Sequence, residues 1–427
     1  MRGGEQLAEP SRELRPANDA NEARADSSLK QRYLIALNIP VYAWRGGLYT
    51  DRLWLLDLQR HLDYIESPVL FCPRVEGQPP HGCEILPTTA PFDRLRIIGV
   101  PEATSLATGL ALAPSHMRRA WAAVRDADIV HGGGVGWPIP LGYYCAIAAR
   151  LQRKFHISIM ESSPWRVLPN ESASLGRRVR AWVMERMARW IARGSQLALF
   201  TTVAYRDSMV GPDAPNGHVF KASWIPEHQL TPMPEVERRW SERPESSVLR
   251  IGFAARLTVE KGTRVLLESL AHLDPDRRFE VNIIGEGPCS AEIRAAQVPP
   301  NVNLRLLATV DYGDSFFRVL DGWDCIVVPS LSDEQPRIIY DAFARGLPVI
   351  ASRTSALTEC ITDRGDGLFF PVGDSRALAA QLSHLASHRD TLRQMAYSAR
   401  RSADLHTHAK MHADRRVLID RAWAAAQ

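Results

Sequence analysis

A chain of 427 residues is too long for one ordinary hydrophobic core and suits two domains of typical size. With 45% hydrophobic and 23% charged residues it has a globular composition, and no run of about 18 apolar residues marks a membrane span. The net charge of +4 permits an anionic partner, but no aromatic–basic motif points to nucleic acid; six scattered cysteines without a CxxC pair speak against a structural zinc site and fit a reducing, cytoplasmic compartment.

Residues 1–28 are polar, lack the apolar centre of a secretory signal and read as a disordered tail. From 29 to 225, strand patterns recur at RYLIALN, PVLFCP, LRIIGVP, DIVHGG, FHISIME and LALFTT, with room for helices between several of them. That βα alternation predicts a mostly parallel sheet covered on both faces. Gly46 and Gly47 precede an amphipathic helical pattern. They read either as a plain turn or as a loop that brings backbone N–H groups to a phosphate at a helix N-terminus. His131 stands at the carboxyl end of a strand, where a histidine either moves protons near neutral pH or is simply a satisfied strand-end residue. Glu161, Trp165 and Arg166 fall on the loop after the next strand, in reach of an acceptor or in a capping and packing role. A helix predicted over 176–194 aligns Val179, Trp182, Val183, Met187, Trp190 and Ile191 in one stripe, with six arginines largely outside it. The stripe is expected to pack on the sheet; peripheral contact with an anionic bilayer is the other reading.

Between 226 and 248 prolines and charges interrupt the periodicity, the pattern of an interdomain linker with a cleft beside it. The second domain, 249–404, opens with a strand ending near Arg256, a loop carrying Lys261 and Gly262, and a helix. Two cations at a strand end and helix start suit a diphosphate, Arg as a bidentate fork and Lys as a point charge, or are two surface charges. Gly285 and Gly287 form a GxG without a third glycine, a poor dinucleotide fingerprint that disfavours an NAD-linked oxidoreductase. From Cys325 to Ser352 the pattern is strand, loop, helix ending at Gly346, and strand. Asp333, Arg337 and Asp341 lie four apart there, with Glu334 beside the first. They form either a solvated salt-bridge ladder or two carboxylates flanking a strand-to-helix loop, where α/β proteins bind ligands. Two D-x-D triplets read as structural, since the first, at 126–128, abuts a strand and the second, at 274–276, lies in a turn. Residues 405–427 carry a further helical pattern.

Three motifs converge on one family. These are G-x-x-x-R-L-x-x-x-K-G from Gly252, Ile-Gly-x-Gly-Pro from Ile284, and an acid, seven residues, a second acid and Gly-x-Pro-Val-Ile-Ala-Ser from Asp333. Together they resemble the signature of family 4 glycosyltransferases, nearly continuously over 249–405 and patchily over 31–225. The resemblance implies an α/β chain of GT-B fold, two Rossmann-like doubly wound parallel-sheet domains facing across a cleft, with the C-terminal helix packing back on the first. It implies a retaining hexosyltransferase of cell-surface polysaccharide or glycoconjugate synthesis. Its co-substrate would be a nucleoside-diphosphate sugar and its acceptor a glycan, a lipid-linked carrier or another hydroxyl, with no metal or other cofactor. By the same resemblance Arg256 and Lys261 take the diphosphate and Asp341 the ribose, with Arg337 beside it. Asp333 or Glu334 then faces the donor sugar, and Gly46, Gly47 and His131 meet the donor from the first domain. The family acids are usually Glu. Asp at both matched places leaves a second reading, a non-catalytic binding or scaffolding subunit of a polysaccharide assembly system.

Overall fold

The apolar runs fold as two separate sheets in the computed structural model, which describes residues 29–427 apart from 135, 137, 164, 168–171 and 244–247. The tail read at 1–28 lies outside the described residues. The first sheet gathers β1 (Leu29–Ala36), β2 (Val41–Trp44), β3 (Gly47–Asp51), β4 (Ile65–Glu76), β5 (Cys83–Ile85), β6 (Arg96–Val100), β7 (Ile129–Gly133), β8 (Phe155–Met160), β9 (Leu197–Phe200) and β10 (Gly217–Val219). Its main body is parallel in the order β10-β9-β8-β7-β1-β4, with β6 also on β4. The long β4 continues past that body and pairs with β2, from which the antiparallel strands β3 and β5 extend. The strand runs expected in this half appear as β1, β4, β6, β7, β8 and β9, whereas the annex of β2, β3 and β5 has no counterpart in the sequence pattern.

The second sheet is wholly parallel. It contains β11 (Leu249–Ala254), β12 (Phe279–Ile284), β13 (Val302–Leu307), β14 (Cys325–Val328), β15 (Val349–Ser352) and β16 (Gly367–Phe370), in the order β13-β12-β11-β14-β15-β16. Helices cover both faces, so strand side chains are apolar on both sides. Cys325 and Val327 enter one core while Ile326 and Val328 enter the other, the two-residue period of a strand. Each such Val or Ile contributes about 1.5–3 kcal/mol by its burial.

The stretch 226–248, expected to be a linker, holds a helix, Met233–Ser241, whose Val236 and Trp240 enter the core of the second domain. Pro232 and Pro234 break the sequence pattern without breaking this helix, because they sit at its N-cap and first turn, where a missing N–H leaves no bond unmade. The chain passes between the domains near Ala222–Ile225 and again near His406–His408, and the two crossings are joined by the His408 N–H donating to the Ile225 carbonyl at 2.9 Å. Beyond the second crossing, the helix His408–Ala425 lies on the first domain and buries Met411 and Ile419 in its core. Among the described residues no helix is long and apolar enough to cross a membrane.

Candidate functional site

Loops from the carboxyl ends of both sheets enclose a cleft of about 1220 Å³. This is where backbone groups and side chains converge in open α/β sheets. On the second-domain side Arg256 follows β11 and lines the cleft with its side chain exposed. Gly262 adopts φ +77°, and a Cβ there would lie 1.8 Å from the Pro329 carbonyl oxygen. Only glycine therefore lets this loop pass beside the end of β14 and turn into the helix Thr263–Leu270, which leaves Lys261 facing the cleft. Lys261 Nζ lies 2.8 Å from Glu334 Oε2.

The acids expected from the motif part company. Asp341, in the first turn of the helix Ile338–Ala344, is 5% exposed and accepts a hydrogen bond from the Tyr312 hydroxyl at 2.8 Å. Burial pushes its carboxyl up to about 7, although the Tyr312 bond and the Arg337 charge pull the other way. Asp333 does not line the cleft. It accepts from the Ala356 N–H at 2.6 Å and from the Ser355 hydroxyl, closing the start of the short helix Ser355–Thr358. Glu334, one residue on, is the loop acid that faces the cleft. The salt-bridge ladder does not form either: Arg337 lays its guanidinium 4.2 Å from the ring centroid of Trp224.

On the first-domain side most of the candidate residues lie away from the cleft. Gly46 and Gly47 do not cradle a helix N-terminus; they belong to the tight turn between β2 and β3, with Arg45 and Gly46 at φ +48° and +79°. Two positive φ values in succession are what a hairpin turn of type I′ demands. The flanking strands supply Tyr42 and Asp51 to the cleft instead, and Asp51 also caps the helix Arg52–Leu62 by accepting from the Trp54 N–H at 2.9 Å.

His131 is 4% exposed and lies outside the cleft. Alternation along β7 is the cause: Ile129, two residues before it, faces the core beneath the helices Arg52–Leu62 and His408–Ala425, while Val130 faces the opposite core. Its Nδ1 is 3.0 Å from the Tyr33 hydroxyl, and burial holds its pKa well below the usual imidazole value. Glu161 does reach the cleft, as an exposed residue. Trp165 and Arg166 turn away from it. Both bind Glu185 of the helix Leu175–Gly194, the indole N–H at 2.9 Å and the guanidinium at 2.7 and 3.0 Å, so they pack that helix rather than meet a ligand.

Two residues that line the cleft, Trp224 and Tyr312, carry no sequence signal. Trp224, in the first interdomain crossing, lies between the Arg337 guanidinium and the His408 ring, which stacks at 5.8 Å and 14°. Tyr312 reaches both Asp341 and the Trp224 carbonyl, the latter at 3.3 Å. Glu359 ties the domains together by accepting from the Val203 N–H of the first domain at 2.8 Å and pairing with Lys221 at 3.0 Å. Beneath the cleft, Asp57, His61 and His412 form a buried group able to hold a metal ion. Its atoms already satisfy one another. Asp57 Oδ1 lies 3.1 Å from His408 Nε2 and 3.0 Å from His412 Nε2, while Arg415 stands 3.3 Å from His61 Nε2. His408 and His412 hold the carboxylate and Arg415 holds His61, so the group reads as a clamp between the helices Arg52–Leu62 and His408–Ala425.

Residues 249–388 match the family described as Glycosyl transferases group 1. Over 146 residues the chain is 34% identical to the amylovoran biosynthesis glycosyltransferase AmsK of Erwinia amylovora, covering 32% of this chain and 36% of that one. It is 26% identical over 281 residues to a GDP-mannose-dependent alpha-mannosyltransferase of Mycobacterium tuberculosis, 65% of this chain and 68% of that one. The chain thus spans about a third of the first relative's length and two thirds of the second's. Among solved structures, the sucrose-phosphate synthase of Thermosynechococcus elongatus superposes with a TM-score of 0.69 at 14% identity, over 92% of this chain and 99% of that one. HepE of Anabaena in complex with UDP gives 0.62 at 14% identity, over 91% and 100%. The fold is therefore GT-B, as the motifs imply, and the family match falls on the domain that carries Arg256, Lys261, Glu334 and Asp341.

Proposed function

We propose that the protein transfers a hexose-type sugar from a nucleoside-diphosphate sugar to a hydroxyl acceptor, a glycan or a lipid-linked carrier, in the interdomain cleft. The observation that carries this reading is the convergence of Arg256, Lys261, Glu334 and Asp341 on one cleft wall, with Asp51 and Glu161 on the facing wall. Two cations and two carboxylates match the charges that separate when a diphosphate leaves a sugar carbon. Arg256 and Lys261 stabilise the departing diphosphate. Asp341 accepts from the ribose hydroxyls. Glu334 exchanges its Lys261 partner for the donor sugar, where a carboxylate favours the positive charge that develops at C1. Because two side-chain cations take the diphosphate charge, transfer proceeds without a divalent metal and persists in EDTA. Retention of configuration rests on the family resemblance, and the amylovoran relative supports a place in cell-surface polysaccharide synthesis.

The test is a panel of UDP-, GDP- and ADP-sugars, scored for release of the nucleoside diphosphate with and without candidate acceptors. Turnover of one donor, lost in Lys261→Ala, supports the proposal. No turnover and no thermal protection by any donor would leave the binding-subunit reading in its place.

A further inference from the structure

The helix Leu175–Gly194 does not pack as its apolar stripe predicts. Of that stripe, Val179, Trp182, Val183 and Trp190 are 53%, 61%, 44% and 41% exposed, and Leu175 before them is 78% exposed. The helix seats on the first domain by its small face, with Ala188, Ile191 and Ala192 buried and Met184 and Met187 packed beside them. At about 100° per residue, Leu175, Val179, Trp182, Val183, Arg186, Trp190 and Arg193 fall within one arc of about 100°, and Ala188 and Ile191 fall on the other side. Small residues let the helix approach the sheet closely, so the bulky apolar side is left facing outward.

That outward side is also basic. The helix carries six arginines against one acid, Glu185, which Arg166 and Arg189 already engage. Arg186 lies 5.2 Å from the Trp182 ring centroid, and Arg150, from the neighbouring helix Leu141–Leu151, lies 4.6 Å from that of Trp190. These tryptophans together with Arg150, Arg186, Arg189 and Arg193 line a cavity of about 510 Å³, which Glu185 also lines, leaving four cations against one carboxylate. The exposed side thus combines aliphatic side chains, two indoles and a concave cluster of guanidinium groups. That chemistry suits a surface that is apolar beneath a layer of phosphates.

We propose that this face is the seat of the protein on an anionic phospholipid bilayer. Leu175, Val179, Trp182, Val183 and Trp190 enter the headgroup–acyl boundary, and the arginine-lined cavity takes lipid phosphate. The helix lies in the plane of the surface and does not span it. The helix seats on the first domain, so the seat lies on the acceptor side of the proposed reaction. It stands without that reaction, because vesicle binding is measured with no donor present.

The experiment is co-sedimentation of the full chain with phosphatidylcholine vesicles, alone or with a third phosphatidylglycerol, at low and high salt. Trp182→Ala/Trp190→Ala and Arg186→Glu/Arg193→Glu are run alongside, with circular dichroism and melting to confirm that each folds as the parent does. The expected result is binding to the anionic vesicles only, weakened by salt and reduced at least about tenfold in both variants. Failure of the parent to bind anionic vesicles, or equal binding by the folded variants, overturns the proposal. So does a parent that sediments as a dimer without lipid and becomes monomeric on Trp182→Ala/Trp190→Ala, since the face would then meet a second copy of the chain.

Discussion

Replacing Asp341 with asparagine separates two consequences of one buried carboxylate. The group is 5% exposed, and its pKa rises from the ordinary 3.8 to about 7. A raised pKa in an acid means that the folded state disfavours the charge. The cost is absent below the unfolded value near 4, grows as pH climbs toward 7, and is complete above it. A shift of about three units corresponds to about 4 kcal/mol of lost stability at pH 8, an order-of-magnitude figure. Asparagine keeps an oxygen for the Tyr312 hydroxyl and carries no charge. Asp341→Asn is therefore expected to melt several degrees higher than the parent at pH 8 and nearly level with it at pH 4. Donor affinity should move the opposite way. If the ionised carboxylate holds the ribose, parent affinity falls about tenfold between pH 8 and pH 6, where about a tenth of Asp341 remains ionised. The variant should bind weakly with no such pH dependence. Calorimetric melting and titration with the preferred nucleoside diphosphate over pH 4–8 check both arms. A variant that melts no higher than the parent at pH 8 would refute the desolvated carboxylate from which the rest is reasoned.

Asp333→Ala should cost about 1 kcal/mol by uncapping the helix Ser355–Thr358 and leave transfer within about tenfold of the parent, whereas Glu334→Gln should cost about 10²-fold in kcat with stability unchanged. Denaturant melts and initial rates on the pair decide which acid serves the sugar. His131→Ala should lower stability by about 2 kcal/mol while the KM for donor stays within about twofold, because the ring lies in the first-domain core and not in the cleft. Glu359→Ala removes the carboxylate that holds Val203 N–H and Lys221, so small-angle scattering without nucleotide should show a larger radius of gyration than the parent. An unchanged radius would mean the two domains do not depend on that contact.

The second domain was the more legible half. Its strands are buried on both faces and appear in the sequence as short unbroken apolar runs. Its loops must bend under fixed steric limits, which is why Gly262 and the residues around it follow a readable pattern. The acids show where spacing stops informing. Asp333 and Glu334 are adjacent on an irregular loop, and nothing in their order tells which turns toward the cleft and which caps a helix twenty residues on. In the first domain the strand position of His131 is visible in the sequence and the direction of its side chain is not, so both of its readings stay open until the core is seen. The packing of the helix Leu175–Gly194 is hidden for a related reason, since periodicity finds an apolar stripe but not which part of it fits closely against a sheet. Trp224, Tyr312 and Glu359 act through contacts across the interdomain crossings, and those pairings join residues far apart in the chain.

The central claim is that Arg256 and Lys261 hold a nucleoside diphosphate in the cleft. Its most direct test is isothermal titration of the parent, Arg256→Ala and Lys261→Ala with UDP, GDP and ADP. One of the three should bind the parent, and each variant should bind it at least about tenfold more weakly while melting as the parent does. Binding by the parent that both folded variants retain at full strength would contradict the account.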